Sequence, residues 1–321
     1  MPRLTLLDEE VLRWVGGRYI PYFSKTPEDI VCPHFWIIKP YTGCPYSCSY
    51  CYLQGTFYGD KAPRMKDLGM VQAALRELVR WAGERDVRAL LNAGELADSL
   101  AIPSWADRFL RAVKPILVGQ DRVRILFLTK AGRESIWPLT GDPELPEIVV
   151  ASFSINPGKV VELFERGAAR LESRLEAARE LQERGFEIRL RIDPIIPISN
   201  WREEYRRLVW LVFNQYGLRP SRVTLDTLRG LRKTLRYARE KGWTIFFTGG
   251  ERTGWGMKIN RDLRLQVYRD IAAWMRDEGF AGDIALCKET PEIWRALADE
   301  GVVEDPGTYP EWPGVKCNCG P

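Results

Sequence analysis

Short runs of Val, Ile, Leu and Phe alternate along this chain with longer stretches that have helical periodicity. The stretch that begins at Arg170 is typical, because Leu171, Leu175 and Leu181 share one helical face and Gly185 ends the pattern. Strands that alternate with helices form βαβ units around a parallel sheet. About six such units predict an α/β fold, a partial (βα)6-type parallel barrel with a C-terminal extension.

The predicted strands are 35–41, 87–92, 123–129, 148–154, 186–193 and 222–225. The predicted helices are 66–83, 104–114, 170–184, 201–216 and 227–241. Segments 243–248, 261–278 and 283–287 continue the alternation. We therefore expect an N-terminal extension (1–34), a barrel core (35–241) and a C-terminal extension with a cysteine-containing tail (242–321), with the working residues at the carboxyl ends of the strands.

The composition excludes several kinds of site. His34 is the one histidine of the chain, so a site with several histidine ligands is impossible, and Ser-His-Asp or Cys-His catalysis would have to use His34. Seven unevenly placed cysteines indicate reduced thiols or metal ligation rather than a disulfide framework. No apolar run approaches about 18 residues, and acidic residues stand where a secretory signal is apolar, so we expect a cytoplasmic protein without a membrane span.

Three of the cysteines, Cys44, Cys48 and Cys51, form a C-x3-C-x2-C pattern just after the first predicted strand. Thiolates are the usual ligands of iron–sulfur clusters, and three of them leave one iron of a cubane open to a small molecule. A zinc site made by these three thiolates and His34 is the chemical alternative.

The loop around these cysteines, C-P-Y-S-C-S-Y-C-Y-L-Q, resembles the signature of the radical S-adenosylmethionine (SAM) enzymes, and of their spore photoproduct lyase branch in particular. The likeness continues in Thr129–Lys130, in F-S-I-N-P from Phe153, in V-V-E-L-F-E-R-G from Val160 and in L-E-S-R-L-E-A-A from Leu171. It spans about residues 35–230.

The resemblance implies a [4Fe–4S] cluster on Cys44, Cys48 and Cys51, whose open iron is chelated by the methionine part of SAM. Reductive cleavage of SAM to a 5′-deoxyadenosyl radical and hydrogen abstraction from a substrate would follow, with an electron donor such as flavodoxin or ferredoxin as a partner. It also implies SAM contacts, which are Gly94 and Glu95 for the amino group, Lys130 for the carboxylate, and Ser154 and Asn156 for the ribose or methionine part.

The fifth predicted strand adds evidence of its own. Ile188, Leu190 and Ile192 alternate there with Arg189, Arg191 and Asp193. Since one face of a barrel strand packs against the helices, the charged face should point into the lumen. Arg191 and its neighbours on that face therefore predict an anionic ligand in the lumen.

The sequence departs from the family at the hydrogen donor. The family has a cysteine just after the second strand, where this chain reads N-A-G-E-L-A-D-S, although Tyr50 and Tyr52 match the two tyrosines of the hydrogen relay. Cys287, Cys317 and Cys319 are the remaining candidates: the tail could fold over the barrel mouth and deliver a thiol, or the three could hold a second metal or cluster. Cys32 is expected in the core or a loop, with a fourth ligand as the alternative.

Residues 201–241 hold eleven Lys or Arg against four Asp or Glu, which predicts a polyanionic partner. On the predicted helix 227–241 a stripe of basic residues, Arg229, Arg232, Lys233, Arg236 and Arg239, would share one face. The leading hypothesis is thus a radical SAM enzyme that acts on a nucleic-acid base or nucleotide. The alternatives are radical modification of a small molecule or peptide, and a non-catalytic zinc or iron–sulfur protein that binds nucleic acid.

Overall fold

An eight-stranded sheet that curls into a half-barrel forms the centre of the protein, and the computed structural model describes residues 18–321. Its strands, in spatial order, are β1 (Tyr22–Phe23), β2 (Phe35–Ile37), β6 (Ala89–Asn92), β7 (Val123–Thr129), β8 (Val149–Ser154), β10 (Glu187–Ile195), β11 (Arg222–Thr227) and β15 (Asp283–Leu286). β1 runs antiparallel to β2, and each later pair of neighbours is parallel. The predicted partial barrel is confirmed.

Short strands outside this sheet shape its mouth. They are β3 (Tyr41–Thr42), β4 (Ser47–Cys48), β5 (Arg64–Met65), β9 (Glu165–Arg166), β12 (Arg229–Gly230), β13 (Glu251–Thr253) and β14 (Gly256–Lys258). β3 pairs with β5, β4 pairs with β9, and β12, β14 and β13 form a three-stranded sheet.

Most helices cover the outer face of the half-barrel, but the first short helix borders the lumen, which Leu53 and Thr56 line. The helices are α1 (Leu53–Thr56), α2 (Leu68–Glu84), α3 (Pro103–Leu117), α4 (Trp137–Thr140), α5 (Leu145–Ile148), α6 (Gly158–Phe164), α7 (Leu171–Glu183), α8 (Trp201–Trp210), α9 (Arg232–Tyr237), α10 (Arg261–Asp277) and α11 (Pro291–Asp299). A π-helical segment, Leu211–Gln215, prolongs α8, and two 3-10 turns span Arg133–Ser135 and Gly242–Phe247.

The helical periodicity in the sequence marks the buried faces correctly. In α7 the predicted face of Leu171, Leu175 and Leu181 is buried, and Gly185 follows with φ +86°, the left-handed conformation that ends a helix. At the start of α2, the Asp67 carboxylate accepts a hydrogen bond from the Met70 amide at 3.1 Å. None of the helices in the described part of the chain has the length and apolar character needed to cross a bilayer.

Two predicted elements are wrong. The helix expected at 227–241 is reduced to α9, because Arg229–Gly230 pairs as β12 with β14 and Arg229 turns inward to the Asp226 carboxylate at 2.5 Å. Segment 243–248, which is expected to continue the alternation of strands and helices, is instead a 3-10 turn. In both places a tertiary contact outweighs the local pattern.

The sheet takes strands from all three predicted segments of the chain. β1 precedes the expected core and β15 follows it, while residues 1–17 of the expected N-terminal extension lie outside the described residues. The division at 34 and 241 therefore remains a prediction.

The C-terminal tail enters the half-barrel from its amino-terminal end, opposite the mouth. Lys316 Nζ lies 3.5 Å from Asp283 at the start of β15, and Arg222 at the start of β11 donates to the Cys317 carbonyl at 3.2 Å. Asn318 is fully buried deeper in the lumen. The expectation that the tail covers the mouth is therefore wrong, because basic side chains at the strand starts bind its carbonyl groups.

Candidate active site in the barrel lumen

A cavity of about 480 Å³ lies inside the half-barrel toward the carboxyl ends of its strands. Most of the predicted site residues line it together, namely Cys44, Cys48, Tyr50, Cys51, Tyr52, Gly94, Glu95, Lys130, Ser154, Arg191 and Cys287. They come from separate strands and loops, so the parallel topology itself gathers them.

The cysteine loop is held in shape by polar contacts to its backbone. Lys61 donates from Nζ to the Cys44 carbonyl at 2.9 Å and also to the Tyr46 carbonyl, and Gln54 donates to the Cys48 carbonyl at 3.3 Å. Gly43 has φ +90°, and a Cβ there would lie 2.4 Å from the Ala62 carbonyl oxygen, so the turn into the loop requires glycine.

Three sulfur donors from this loop border one cavity. Cys44 and Cys48 are buried and Cys51 is partly exposed, and all three line the lumen. Burial raises the pKa of the Cys44 thiol to about 12, so a cationic centre is needed to hold these groups as thiolates. A donor set of thiols alone fits an iron–sulfur cluster. His34, the fourth ligand of the zinc alternative, packs against Tyr22 with ring centroids 5.8 Å apart and does not line the cavity.

The turn after β6 brings Glu95 to the lumen. A Cβ on Gly94 would lie 2.5 Å from Leu128 Cβ, so glycine is the residue that lets this turn pack against β7. The Tyr52 hydroxyl donates to the Glu95 carbonyl, and Lys288 Nζ lies 3.3 Å from the Glu95 carboxylate.

Lys130 directly follows β7, and its ammonium lies inside the lumen. Its Nζ donates to Ser154 Oγ, and to the Asp193 carbonyl at 3.2 Å. Its backbone N–H donates to Asp98 Oδ2 at 2.6 Å, which fixes where the side chain starts. The ammonium thus stands beside a hydroxyl that can share an anionic ligand with it.

Glu165 is a fully buried carboxylate behind Lys130. It accepts hydrogen bonds from the Tyr50 hydroxyl and from Asn156 Nδ2 at 3.0 Å, and Arg174 Nη2 lies 2.6 Å away. Burial opposes its charge, but the Lys130 and Arg174 cations hold the pKa of Glu165 down at about 2. The carboxylate therefore remains charged and positions Tyr50.

The structure does not place Asn156 with the other predicted SAM contacts. Its side chain is fully buried, is bonded to Glu165 and accepts from the Tyr205 hydroxyl at 3.1 Å, and it does not line the cavity. Both ends of its amide are hydrogen-bonded within the protein, so Asn156 positions Glu165 and does not contact a ligand in the cavity.

Arg189 and Arg191 do face the lumen, as the alternation along β10 predicts. Arg189, however, donates to the tail carbonyls of Asn318 at 3.0 Å and Gly320 at 2.6 Å. Since these carbonyl groups occupy its guanidinium, the prediction that Arg189 faces an anionic ligand is wrong. Arg191 lines the cavity and donates to Cys319 Sγ at 2.8 Å. Part of the charge on this strand therefore anchors the protein's own tail.

The late cysteines reach the lumen by different routes. Cys287 follows β15 and borders the large cavity directly. Cys317 and Cys319 lie beneath it, around a second, smaller cavity that Cys32 and Cys287 also line.

Several site residues were not predicted. Asp98, Glu165, Arg174 and Lys288 were missed, and Arg229 was expected in the basic stripe of a helix rather than in the lumen. Glu165 and Arg174 stand inside the V-V-E-L-F-E-R-G and L-E-S-R strings that carry the resemblance, so their signal was present. Arg229 and Lys288 carry no local signal, since only the fold turns them inward.

Comparison with known proteins agrees with this architecture. A family model described as spore photoproduct lyase matches residues 35–240. The chain is 30% identical over 169 residues to the spore photoproduct lyase of Bacillus subtilis (strain 168). The aligned region covers 52% of this chain and 47% of that protein. It is 24% identical over 182 residues to the spore photoproduct lyase of Clostridium acetobutylicum. That aligned region covers 55% of this chain and 51% of that protein. The chain thus spans about half the length of the curated relatives it matches.

Solved structures show the same fold. A spore photoproduct lyase complexed with dinucleoside spore photoproduct superposes with a TM-score of 0.68 over 81% of this chain and 78% of that chain, at 21% identity. A mutant spore photoproduct lyase with bound AdoMet and dinucleoside spore photoproduct superposes with a TM-score of 0.67 over 79% of this chain and 76% of that chain, also at 21% identity. Because the matched family model covers well over half of its length, the chain belongs to the spore photoproduct lyase family.

Proposed function

We propose that this protein is a radical SAM enzyme that acts on a nucleic-acid base or nucleotide. The observation that carries the proposal is that Cys44, Cys48 and Cys51 border the same cavity as Glu95 and Lys130. A [4Fe–4S] cluster held by the three thiolates would supply the reductive cleavage of SAM to methionine and a 5′-deoxyadenosyl radical.

The chain's own residues would bind and orient SAM. The Glu95 carboxylate offers an anion to the SAM ammonium, and the Lys130 ammonium with Ser154 Oγ offers a cation and a hydroxyl to its carboxylate. Glu95 is shared with Lys288 at 3.3 Å, so a bound ammonium competes with that contact. The remaining lumen wall includes Leu128 and Leu228, which exclude water from a reactive radical.

The substrate class is supported by positive charge beside the cysteine loop. α9 packs against α1 so closely that a Cβ on Gly55 would lie 2.5 Å from the Thr234 amide. Arg232, Lys233 and Arg236 are exposed on α9, next to the loop that borders the lumen. Of the predicted stripe, Arg229 alone turns inward. The exposed cations offer phosphate contacts at the rim, and the relatives that the chain resembles include structures with a dinucleoside spore photoproduct.

The radical SAM assignment is tested by anaerobic reconstitution with iron and sulfide, addition of SAM and dithionite, and quantification of 5′-deoxyadenosine. We expect wild-type protein to form it, Cys48→Ala to form none, and Lys130→Ala to require far more SAM. Lys159→Ala, an exposed lysine outside the lumen, is the matched control and should behave like wild type. A reconstituted wild-type protein that binds SAM without cleaving it would overturn the assignment.

The substrate is tested separately by binding to DNA that carries the spore photoproduct. Arg232→Glu with Lys233→Glu should weaken binding roughly tenfold or more and flatten its salt dependence. Arg179→Glu, an exposed charge on α7, is the control. Equal binding of both variants, or binding that salt leaves unchanged, would contradict the nucleic-acid substrate and favour a small molecule or peptide.

A further inference from the structure

Tyrosine rings and cations lie together on the surface beside the mouth of the lumen. Tyr58 stands shortly after α1 and Tyr237 ends α9, and their ring centroids are 5.5 Å apart in an edge-to-face contact. The cations beside them, Arg232, Lys233, Arg236 and Arg239, are all exposed. These tyrosines and cations are called here the rim cluster. Leu231, which directly precedes α9, lines the lumen, so the cluster continues from the cavity onto the surface.

The cations of the rim cluster have no acidic partners. Residues 227–239 contain no Asp or Glu, and none of these cations makes an ion pair with any residue that the structure describes. The next acid along the chain, Glu240, pairs instead with Arg166 at 3.0 Å. On α7, by contrast, the exposed Arg179 lies 2.9 Å from Glu183. A group of cations without counter-ions, on and just after one short helix, attracts an external polyanion.

Tyr58 is held in a backbone conformation that a tyrosine seldom adopts. Its φ is +53°, in the left-handed region that costs a bulky side chain free energy, and 62% of the residue is exposed. Lys233 Nζ lies 4.7 Å from the centroid of its ring and donates to its hydroxyl at 3.0 Å. The Arg236 guanidinium lies 5.5 Å from the ring centroid of Tyr237. Backbone strain and exposure together indicate that the ring of Tyr58 contacts a partner outside the chain.

Tyrosine rings interleaved with cations suit nucleic acid whose bases are unpaired. An aromatic ring stacks on the face of any base, and the guanidinium and ammonium groups contact the phosphates between the bases. Within a duplex each base face is covered by its neighbours, so a surface tyrosine reaches only a base that is single-stranded or extruded. We propose that the rim cluster binds a single-stranded stretch of nucleic acid that leads into the lumen, with Tyr58 and Tyr237 stacked on bases. The nucleotide inside the lumen rests on the proposed function, whereas binding at the rim requires neither iron nor SAM.

Affinity is measured by fluorescence anisotropy on the full chain, without SAM or reductant. The probes are a labelled single strand of mixed sequence, about 12 nucleotides long, and the duplex that it forms with its complement. We expect wild type to bind the single strand roughly tenfold more tightly than the duplex. Tyr58→Ala and Tyr237→Ala should each weaken single-strand binding roughly tenfold and leave its salt dependence unchanged. Arg236→Gln combined with Arg239→Gln should instead flatten the slope of log K against log salt by about 0.7 for each lost phosphate contact, about 1.4 in all.

Two controls separate stacking from other effects, and circular dichroism checks that each variant folds. Tyr58→Phe keeps the ring, loses the hydroxyl contact to Lys233 and should bind like wild type. Tyr309→Ala removes a tyrosine that is 44% exposed and packs edge-on against Trp312 in the C-terminal tail, and it should also bind like wild type. Ultraviolet irradiation of a complex with 5-iodouracil in the single strand should cross-link the strand to Tyr58 or Tyr237, which mass spectrometry of the peptides identifies.

The proposal is overturned if wild type prefers the duplex or binds neither form, if the folded alanine variants at Tyr58 and Tyr237 bind like wild type, or if every cross-link lies outside the rim cluster. Its failure is distinct from that of the proposed function. A protein that forms 5′-deoxyadenosine without a preference for single strands refutes only the role of the rim cluster. A protein that binds single strands through the tyrosines without cleaving SAM refutes only the radical SAM assignment.

Discussion

Lys130 Nζ lies 3.2 Å from Glu165 Oε1, so the ammonium that reaches into the lumen is paired with a carboxylate that has no exposure to solvent. The same carboxylate contacts Arg174 and accepts from Tyr50. One buried anion therefore joins β7, the cysteine loop and α7.

Glu165→Gln should destabilise the protein by about 3–5 kcal/mol, because it leaves the fully buried Arg174 guanidinium without its counter-ion. Urea unfolding measures this. Glu183→Gln removes an exposed pair with Arg179 and should change stability by less than about 1 kcal/mol. Similar losses in the two variants would show that burial of the pair is irrelevant.

Gly94→Ala should impair the site, because the added methyl group meets Leu128 Cβ at 2.5 Å and its carbonyl oxygen at 2.7 Å. We expect a stability loss of about 1–3 kcal/mol and weaker SAM binding, measured by thermal unfolding and equilibrium dialysis. Gly83→Ala is the matched control in α2, where nothing lies within 4 Å, and it should stabilise by roughly 0.5–1 kcal/mol. Unchanged SAM binding in Gly94→Ala would refute the predicted contact.

Glu187→Gln should flatten the loss of stability in acid. Burial would raise the pKa of Glu187, but Arg189 and Arg124 hold it at about 2, below its ordinary 4.5. The unfolded chain takes up a proton near pH 4.5 and the folded protein resists until about pH 2, so this stabilisation is present above that window and lost as the pH falls through it.

The slope of the free energy of unfolding should differ between wild type and Glu187→Gln by up to about 1.4 kcal/mol per pH unit in that window. Urea unfolding at a series of acidic pH values measures it. Glu172→Gln, an exposed position on α7, should follow the wild-type profile. Parallel curves for wild type and Glu187→Gln would count against the ion-pair account.

Asn318→Ala should loosen the tail, since it removes the acceptor of the buried Thr224 O–H and the side-chain donor to the Leu190 carbonyl. We expect a loss of about 1–3 kcal/mol and faster reaction of Cys319 with thiol reagents, followed by mass spectrometry. Asn214→Ala, at an exposed bond to Glu278, is the control. If Cys319 reacts no faster in Asn318→Ala, the tail is held by its backbone alone.

The elements that the sequence predicts well are those whose local pattern and tertiary role agree. β7 is found where the predicted strand 123–129 stands, and the apolar face of α7 is buried where its periodicity places it. The helix expected at 227–241 does not form over its whole length, because Arg229 makes an ion pair with the buried Asp226 carboxylate instead of joining the helix. The periodicity of the sequence contains no information about that tertiary contact.

The sequence by itself determined the α/β alternation and the loop of Cys44, Cys48 and Cys51, because both depend on local spacing. It also determined that Glu95 and Lys130 follow their strands, because parallel strands bring their carboxyl ends to one side of the sheet. Only the tertiary structure decided that Asn156 faces away from the lumen and that Cys32 meets Cys319 beneath it. Contacts between residues nearly 300 positions apart depend on how the sheet closes around the tail, and no local pattern encodes that closure.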